Sequence, residues 1–234
     1  MGMCMLWIGW YGFNAGSAIT SGFGMETAAS AALATQIAAS TAALMWMLVE
    51  GIVRKKPSVL SMVNGAIAGL VCITPACGFV DMTGAFVIGF IGGPLCYLGA
   101  QLKHWVGTDD ALDAFGIHAI GGIVGEVSTG FFATPISGIS TANGVLYSSI
   151  QVGGHQLLVQ IYSILFTITW SGVISFILLK GLDAIFILRV SPEHELMGLD
   201  KSQHDESIIS AENEVASSLD PPEIVFSLQE SKSI

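Results

Sequence analysis

Thr83-Gly84-Ala85-Phe86-Val87-Ile88-Gly89-Phe90-Ile91-Gly92-Gly93-Pro94-Leu95-Cys96-Tyr97-Leu98-Gly99-Ala100-Gln101-Leu102-Lys103 runs for twenty residues without a charge before its lysine. A helix of about that length crosses the hydrocarbon core of a bilayer. Comparable apolar runs flank it at 1–19, 27–50, 58–80, 112–134 and 156–188. None shows the short alternating segments that a membrane barrel needs. The expected fold is all-α: a polytopic helical membrane protein with six transmembrane helices.

Composition excludes a soluble globule. The 234 residues are 52% hydrophobic and only 11% charged, with a mean hydropathy of +0.69. A soluble domain carries about 25% charged residues to wet its surface. Residues 1–19 carry Trp7, Trp10 and Tyr11 where a signal peptide has a smooth apolar core, so they read as a span.

Charge sets the orientation. Arg54, Lys55 and Lys56 lie between spans two and three, Lys103 ends the fourth, and Lys180, Arg189, Lys201 and Lys232 lie at the end of the sixth or beyond. Those are all eight basic residues, and in a six-span chain every one falls on the same side. By the positive-inside rule both termini are expected in the cytoplasm. Ten of the 18 acids stand in 190–234 against two lysines, so that segment contributes −8 of the net −10. The expected organisation is a transmembrane domain over 1–189 and an acidic cytoplasmic tail over 190–234, largely disordered after about 205. A basic face for nucleic acid is absent.

Glycines four apart recur at Gly12/Gly16, Gly65/Gly69, Gly89/Gly93 and Gly121/Gly125, a spacing that lets helix backbones approach. Cys4, Cys72, Cys77 and Cys96 lack metal-ligand spacing and read as small buried hydrophobes. No cofactor is expected. Nor is there a phosphate loop, nucleophile elbow or productive carboxylate pair, so an enzyme is not expected.

Polar groups inside the spans are few and informative. His118 lies several residues into the fifth span, where it either offers a donor and an acceptor to a polar solute or packs against a neighbouring carbonyl. In the first span Phe13 and Ser17 share a helical face with Trp10. Such a face either holds a small cation by ring attraction and a hydroxyl, or makes a helix contact. Asp110 and Asp113, with Asp109, precede the fifth span and suit caps at a helix N-terminus. Glu126 lies two turns beyond His118 and has no evident role.

Together these residues resemble the ammonium transporter family (Amt/Mep/Rh). The matching stretches are Gly9-Trp10-Tyr11-Gly12-Phe13-Asn14-Ala15-Gly16-Ser17-Ala18, Lys56-Pro57-Ser58 with Asn64-Gly65-Ala66-Ile67-Ala68-Gly69-Leu70-Val71, and Ile73-Thr74-Pro75-Ala76-Cys77-Gly78-Phe79-Val80. Further along come Asp109-Asp110-Ala111-Leu112-Asp113-Ala114-Phe115-Gly116-Ile117-His118, Gly121-Gly122-Ile123-Val124-Gly125, Leu188-Arg189-Val190, Gly198-Leu199-Asp200 and His204.

The resemblance implies a fold of eleven transmembrane helices, the first ten as two inverted repeats, assembled as homotrimers with a pore in each subunit. It implies ammonium or ammonia as substrate, the lipid bilayer as setting and the plasma membrane as location. Phe13 is then similar to a gating phenylalanine, Ser17 to the hydroxyl of the ammonium recruitment site, and His118 to the second of two pore histidines, with Trp10 near the lining. By this comparison the chain corresponds to the sixth to eleventh helices. The other pore histidine, gating phenylalanine, recruitment-site tryptophan and a structural aspartate belong to the first five. Ala119 stands where a glycine is usual, and His204-Asp205-Glu206-Ser207 departs from the family's tail motif. That departure weakens the expectation of a cytoplasmic regulatory partner. Two further readings stay open: a non-conducting fragment or half-subunit that needs the first five helices, and a receptor or assembly protein that keeps the fold.

Overall fold

The computed structural model describes residues 1–135, 143–186 and 188–206. The disorder expected after about 205 falls on residues 207–234, outside the described residues, as does much of the expected connector at 135–155.

Among the described residues six long helices follow in the expected order: α1 (Gly2–Thr20), α2 (Gly24–Arg54), α3 (Val59–Ile73), α4 (Met82–Val106), α5 (Ile120–Phe132) and α6 (Ile150–Asp183). A π-helical turn, Phe115–Ala119, leads into α5. Two short helices, α7 (Pro192–Met197) and α8 (Leu199–His204), come after α6. Among the described residues four helical runs are long and apolar enough to cross a membrane: Gly24–Arg54, Met82–Val106, Phe115–Phe132 and Ile150–Asp183.

Local chemistry fixes the ends. Lys55 leaves α2 in a left-handed conformation at φ 62°. A capping box opens α3, with the Ser61 N–H on the Ser58 hydroxyl at 3.0 Å and the Ser58 N–H on the Ser61 hydroxyl at 3.2 Å. Asp81 opens α4 by accepting the Gly84 N–H at 2.6 Å, and Gly107 closes it at φ 73°.

The third span, expected over 58–80, is helical only to Ile73. Pro75 has no N–H for the Val71 carbonyl, which takes the Thr74 N–H instead at 3.2 Å. The chain then turns, and Val80 pairs with Ala133 while the Thr134 N–H reaches the Phe79 carbonyl at 2.8 Å. The connector between α3 and α4 is thereby tied to the end of α5. The sixth helix begins at Ile150, six residues before the expected start at 156, so the connector is shorter than its composition suggests.

Small residues decide the packing. α2 is central, α3 and α4 lie against it and against each other, α1 rests on α2 and α3, and the π turn and α5 rest on α3 and α4. A Cβ on Gly69 or on Gly89 would stand 2.5 Å from the Ala38 carbonyl oxygen, and one on Gly93 2.7 Å from that of Ala42. Two helices therefore reach the α2 backbone at Ala38, as small-residue spacing allows. Gly125 meets the Cys72 carbonyl of α3 in the same way and Gly121 meets the Val71 side chain, whereas a Cβ on Gly12 or Gly16 would meet nothing within 4 Å. Buried Trp46 and Tyr97 meet edge to face at 5.6 Å and close the core between α2 and α4.

The chain divides into two units, Met1–Ser171 and the part from Gly172 onward. In the second, Ser191 caps α7, Arg189 pairs with Glu195 at 3.3 Å, and the Ser202 hydroxyl donates to the His194 carbonyl at 3.1 Å, joining α8 to α7.

Candidate functional site

Three faces of α1 have different fates. Tyr11 hydrogen-bonds Gln36, and buried Asn14 donates to Thr35 Oγ1 at 2.9 Å, so this face docks on α2. Trp10 points toward α3, where its indole N–H donates to Thr74 Oγ1 at 2.8 Å. Phe13 and Ser17 point outward. Phe13 is 60% exposed and meets the Trp10 ring edge to face at 6.0 Å and 77°. The Ser17 hydroxyl donates to the Phe13 carbonyl, the usual resting bond of a helical serine with no other partner.

The structure thus sets Phe13 and Ser17 in one outward patch, with the Trp10 ring, itself held by Thr74, at its edge. In the sequence, Thr74 carries no sign of this role beyond its place before Pro75. Its usefulness follows from the break at Pro75, which turns the chain and leaves the hydroxyl at the end of α3 beside α1.

His118 lies elsewhere. It is exposed and sits in the π turn. Among the described residues α1 does not meet the π turn or α5. His118 and the Phe13/Ser17 face are therefore not brought together by these helices. Glu126, on α5, is partly buried.

Asp110 and Asp113 organise the entry to the π turn. The Asp110 carboxylate accepts the Ala114 and Phe115 N–H groups at 2.8 and 3.0 Å. Asp113 sits at φ 56°, pairs with Lys103 at 2.6 Å and accepts from Asn64 Nδ2 at 3.3 Å. Neither Lys103 nor Asn64 was among the expected site residues, because only the fold sets them beside Asp113.

Among the described residues no cluster of three metal-ligating side chains occurs. Cys72, Cys77 and Cys96 are buried and Cys4 is exposed, unlike the burial expected for all four. The Cys72 and Cys96 sulfurs stand 3.8 Å apart as packed thiols.

The family model described as Ammonium Transporter Family matches residues 1–208. An ammonium transporter of Aquifex aeolicus is 45% identical over 207 residues, covering 88% of this chain and 47% of the relative. Ammonium transporter Amt1 of Archaeoglobus fulgidus is 42% identical, covering 88% of this chain and 50% of its own. The crystal structure of Saccharomyces cerevisiae Mep2 superposes with a TM-score of 0.69 at 33% identity, over 80% of this chain and 44% of that one. A structure titled Sensor Amt Protein gives 0.73 at 27% identity, over 86% and 47%. The chain spans about half the length of the curated relatives it matches.

Proposed function

This chain, an integral membrane protein, belongs to the ammonium transporter family, and from that premise we propose that it supplies one side of an ammonium-conducting path. The observation that carries the reading is the outward aromatic patch: Trp10, tied to Thr74 at 2.8 Å, holds the Phe13 ring edge to face beside Ser17. Its ring faces attract a cation by their quadrupole. The Ser17 hydroxyl, while donating to the Phe13 carbonyl, keeps lone pairs that can accept a hydrogen bond from ammonium.

Ammonium and potassium ions are alike in size and charge, so charge alone separates them poorly. Ammonium differs in donating directional hydrogen bonds and in being able to shed a proton. A narrow apolar lumen beyond the patch favours the neutral amine, and His118 offers it a ring nitrogen. In this reading Phe13 gates, Ser17 and Trp10 recruit, and His118 lines the lumen, while Asp110 and Asp113 hold the helix that carries it.

The complementary half of the family fold, in cis or as a second chain, covers the face bearing these residues. The assembled protein is a homotrimer of the plasma membrane, moves its substrate without chemical change, and has both termini in the cytoplasm. The segment after 190 is an acidic tail. The exposure of Phe13, Ser17 and His118 favours a second reading for the chain by itself, a non-conducting half-subunit.

The test is His118→Ala in the assembled transporter. Methylammonium uptake changes in rate or in its discrimination against potassium while the amount of protein in the membrane stays constant. Uptake unchanged in both would return His118 to a packing role.

A further inference from the structure

One face of α4 holds the turn that carries His118. Cys96, Gly99, Ala100 and Lys103 lie three or four residues apart and so share that face. The Cys96 thiol stands 3.8 Å from the Ile117 carbonyl oxygen. A Cβ on Gly116 would lie 2.4 Å from Ala100 N, so the two backbones touch. At the end of the face Lys103 Nζ is 2.6 Å from Asp113 Oδ1 and donates to the Asp110 carbonyl at 2.9 Å.

A π turn spends one more residue on a turn than an α-helix does, a geometry that rarely persists without outside support. Here the Ile120 N–H reaches back five residues to the Phe115 carbonyl. If the extra residue relaxed into α geometry, His118 would rotate by about 100° relative to α5. The glycine contacts set how close the elements lie and are weakly directional. The Lys103–Asp113 pair is charge-assisted, only about one-fifth exposed, and anchored at a residue held in left-handed geometry. Lys103 Nζ gives its aligned hydrogen bond to the Asp110 carbonyl, while Asp113 Oδ1 is held beside it by charge and makes no aligned hydrogen bond, so one ammonium ties down both residues at the entry to the turn.

We propose that Lys103 is a positioning residue: its ion pair with Asp113 fixes the π register of Phe115–Ala119 and so the direction in which His118 points. The functional meaning of that direction rests on the reading of His118 as a lumen-lining group; the register itself does not.

The test places single cysteines by Ile117→Cys, His118→Cys and Ala119→Cys in the full chain carrying Cys4→Ser, reconstituted in lipid nanodiscs. Each is labelled with a small thiol reagent that enters the bilayer, because position 118 of the chain by itself faces lipid. Position 118 labels fastest, because Ile117 is buried and Ala119 half-buried. With Lys103→Met or Asp113→Asn the labelling maximum moves to 117 or 119. Asn tolerates left-handed geometry, so the second variant removes charge without forcing the backbone. With Lys103→Arg the maximum stays at 118. A maximum at 118 in every background would overturn the proposal, and so would equal labelling of all three positions, which marks loss of fold rather than change of register. Methylammonium uptake by the assembled transporter separates the two readings. If Lys103→Met moves the labelling maximum while neither it nor His118→Ala alters uptake, the register inference stands and the lumen role fails.

Discussion

The Trp10 indole N–H donates to the Thr74 hydroxyl over 2.8 Å, and that hydroxyl donates in turn to the Leu70 carbonyl at 2.7 Å. This two-bond chain links α1 to the frayed end of α3 and sets the plane of the ring against which Phe13 rests. Its origin is Pro75, which ends the helix and leaves Thr74 beside α1.

Thr74→Val keeps the side-chain volume and removes both bonds. Leaving the indole N–H without its partner costs about 1–3 kcal/mol, so the purified chain in detergent loses thermal stability. In the assembled transporter methylammonium uptake falls as well, because Phe13 loses its fixed neighbour. Thermal unfolding and uptake of the same variant check the two halves of this prediction.

Gly69 and Gly89 both face the Ala38 carbonyl, so Gly69→Ala and Gly89→Ala each force helices apart. Overpacking of this kind costs about 1–3 kcal/mol. Gly12→Ala meets open space and is neutral or gains about 0.5–1 kcal/mol from helix propensity. Unfolding curves of the three variants should separate them in that order.

Sequence made much of the helical order legible. Charge-poor apolar runs mark the spans, and Gly65/Gly69 and Gly89/Gly93 mark the faces on which α3 and α4 meet α2. Gly12/Gly16 has the same spacing and meets neither neighbour, since spacing alone does not say which face is covered. The early stop of α3 was written in Pro75 but hidden by the apolar residues that follow it. The π turn had no signal, because the groups packed against it, Cys96, Ala100 and Lys103, stand on α4 and only the fold brings them there. For the site, residue types were legible and their grouping was not. Trp10, Phe13 and Ser17 share one helix, whereas His118 sits on an element that α1 does not touch.

Tyr147 donates to Asp81 Oδ2 at 2.9 Å. Its phenol is held above its ordinary value by partial desolvation first, then by the Asp81 hydrogen bond and charge. A raised folded-state value means that the contribution is complete below the unfolded value, near 10, and is lost as pH rises through the folded one. The chain should therefore lose stability in alkaline buffer more steeply than its Tyr147→Phe variant, with the two curves parallel at neutral pH. Unfolding temperatures measured across that range test this, and identical alkaline slopes would count against it.

Orientation gives a further expectation. A cysteine introduced by Ser149→Cys should react with an impermeant reagent added outside intact cells, and one introduced by Lys56→Cys only after the membrane is opened. The reverse pattern would invert the topology drawn from the basic residues.

The most direct measurement is ammonium uptake in cells that lack their own ammonium transporters, with residues 1–234 expressed alone and then together with the complementary half of the family fold. Polar groups left facing hydrocarbon cost several kcal/mol each, and the substrate path of an inverted-repeat transporter runs between its repeats. No uptake is expected from the chain alone, and uptake is expected once the other half covers Phe13, Ser17 and His118. Robust uptake by the chain alone, purified and reconstituted without any partner, would contradict it.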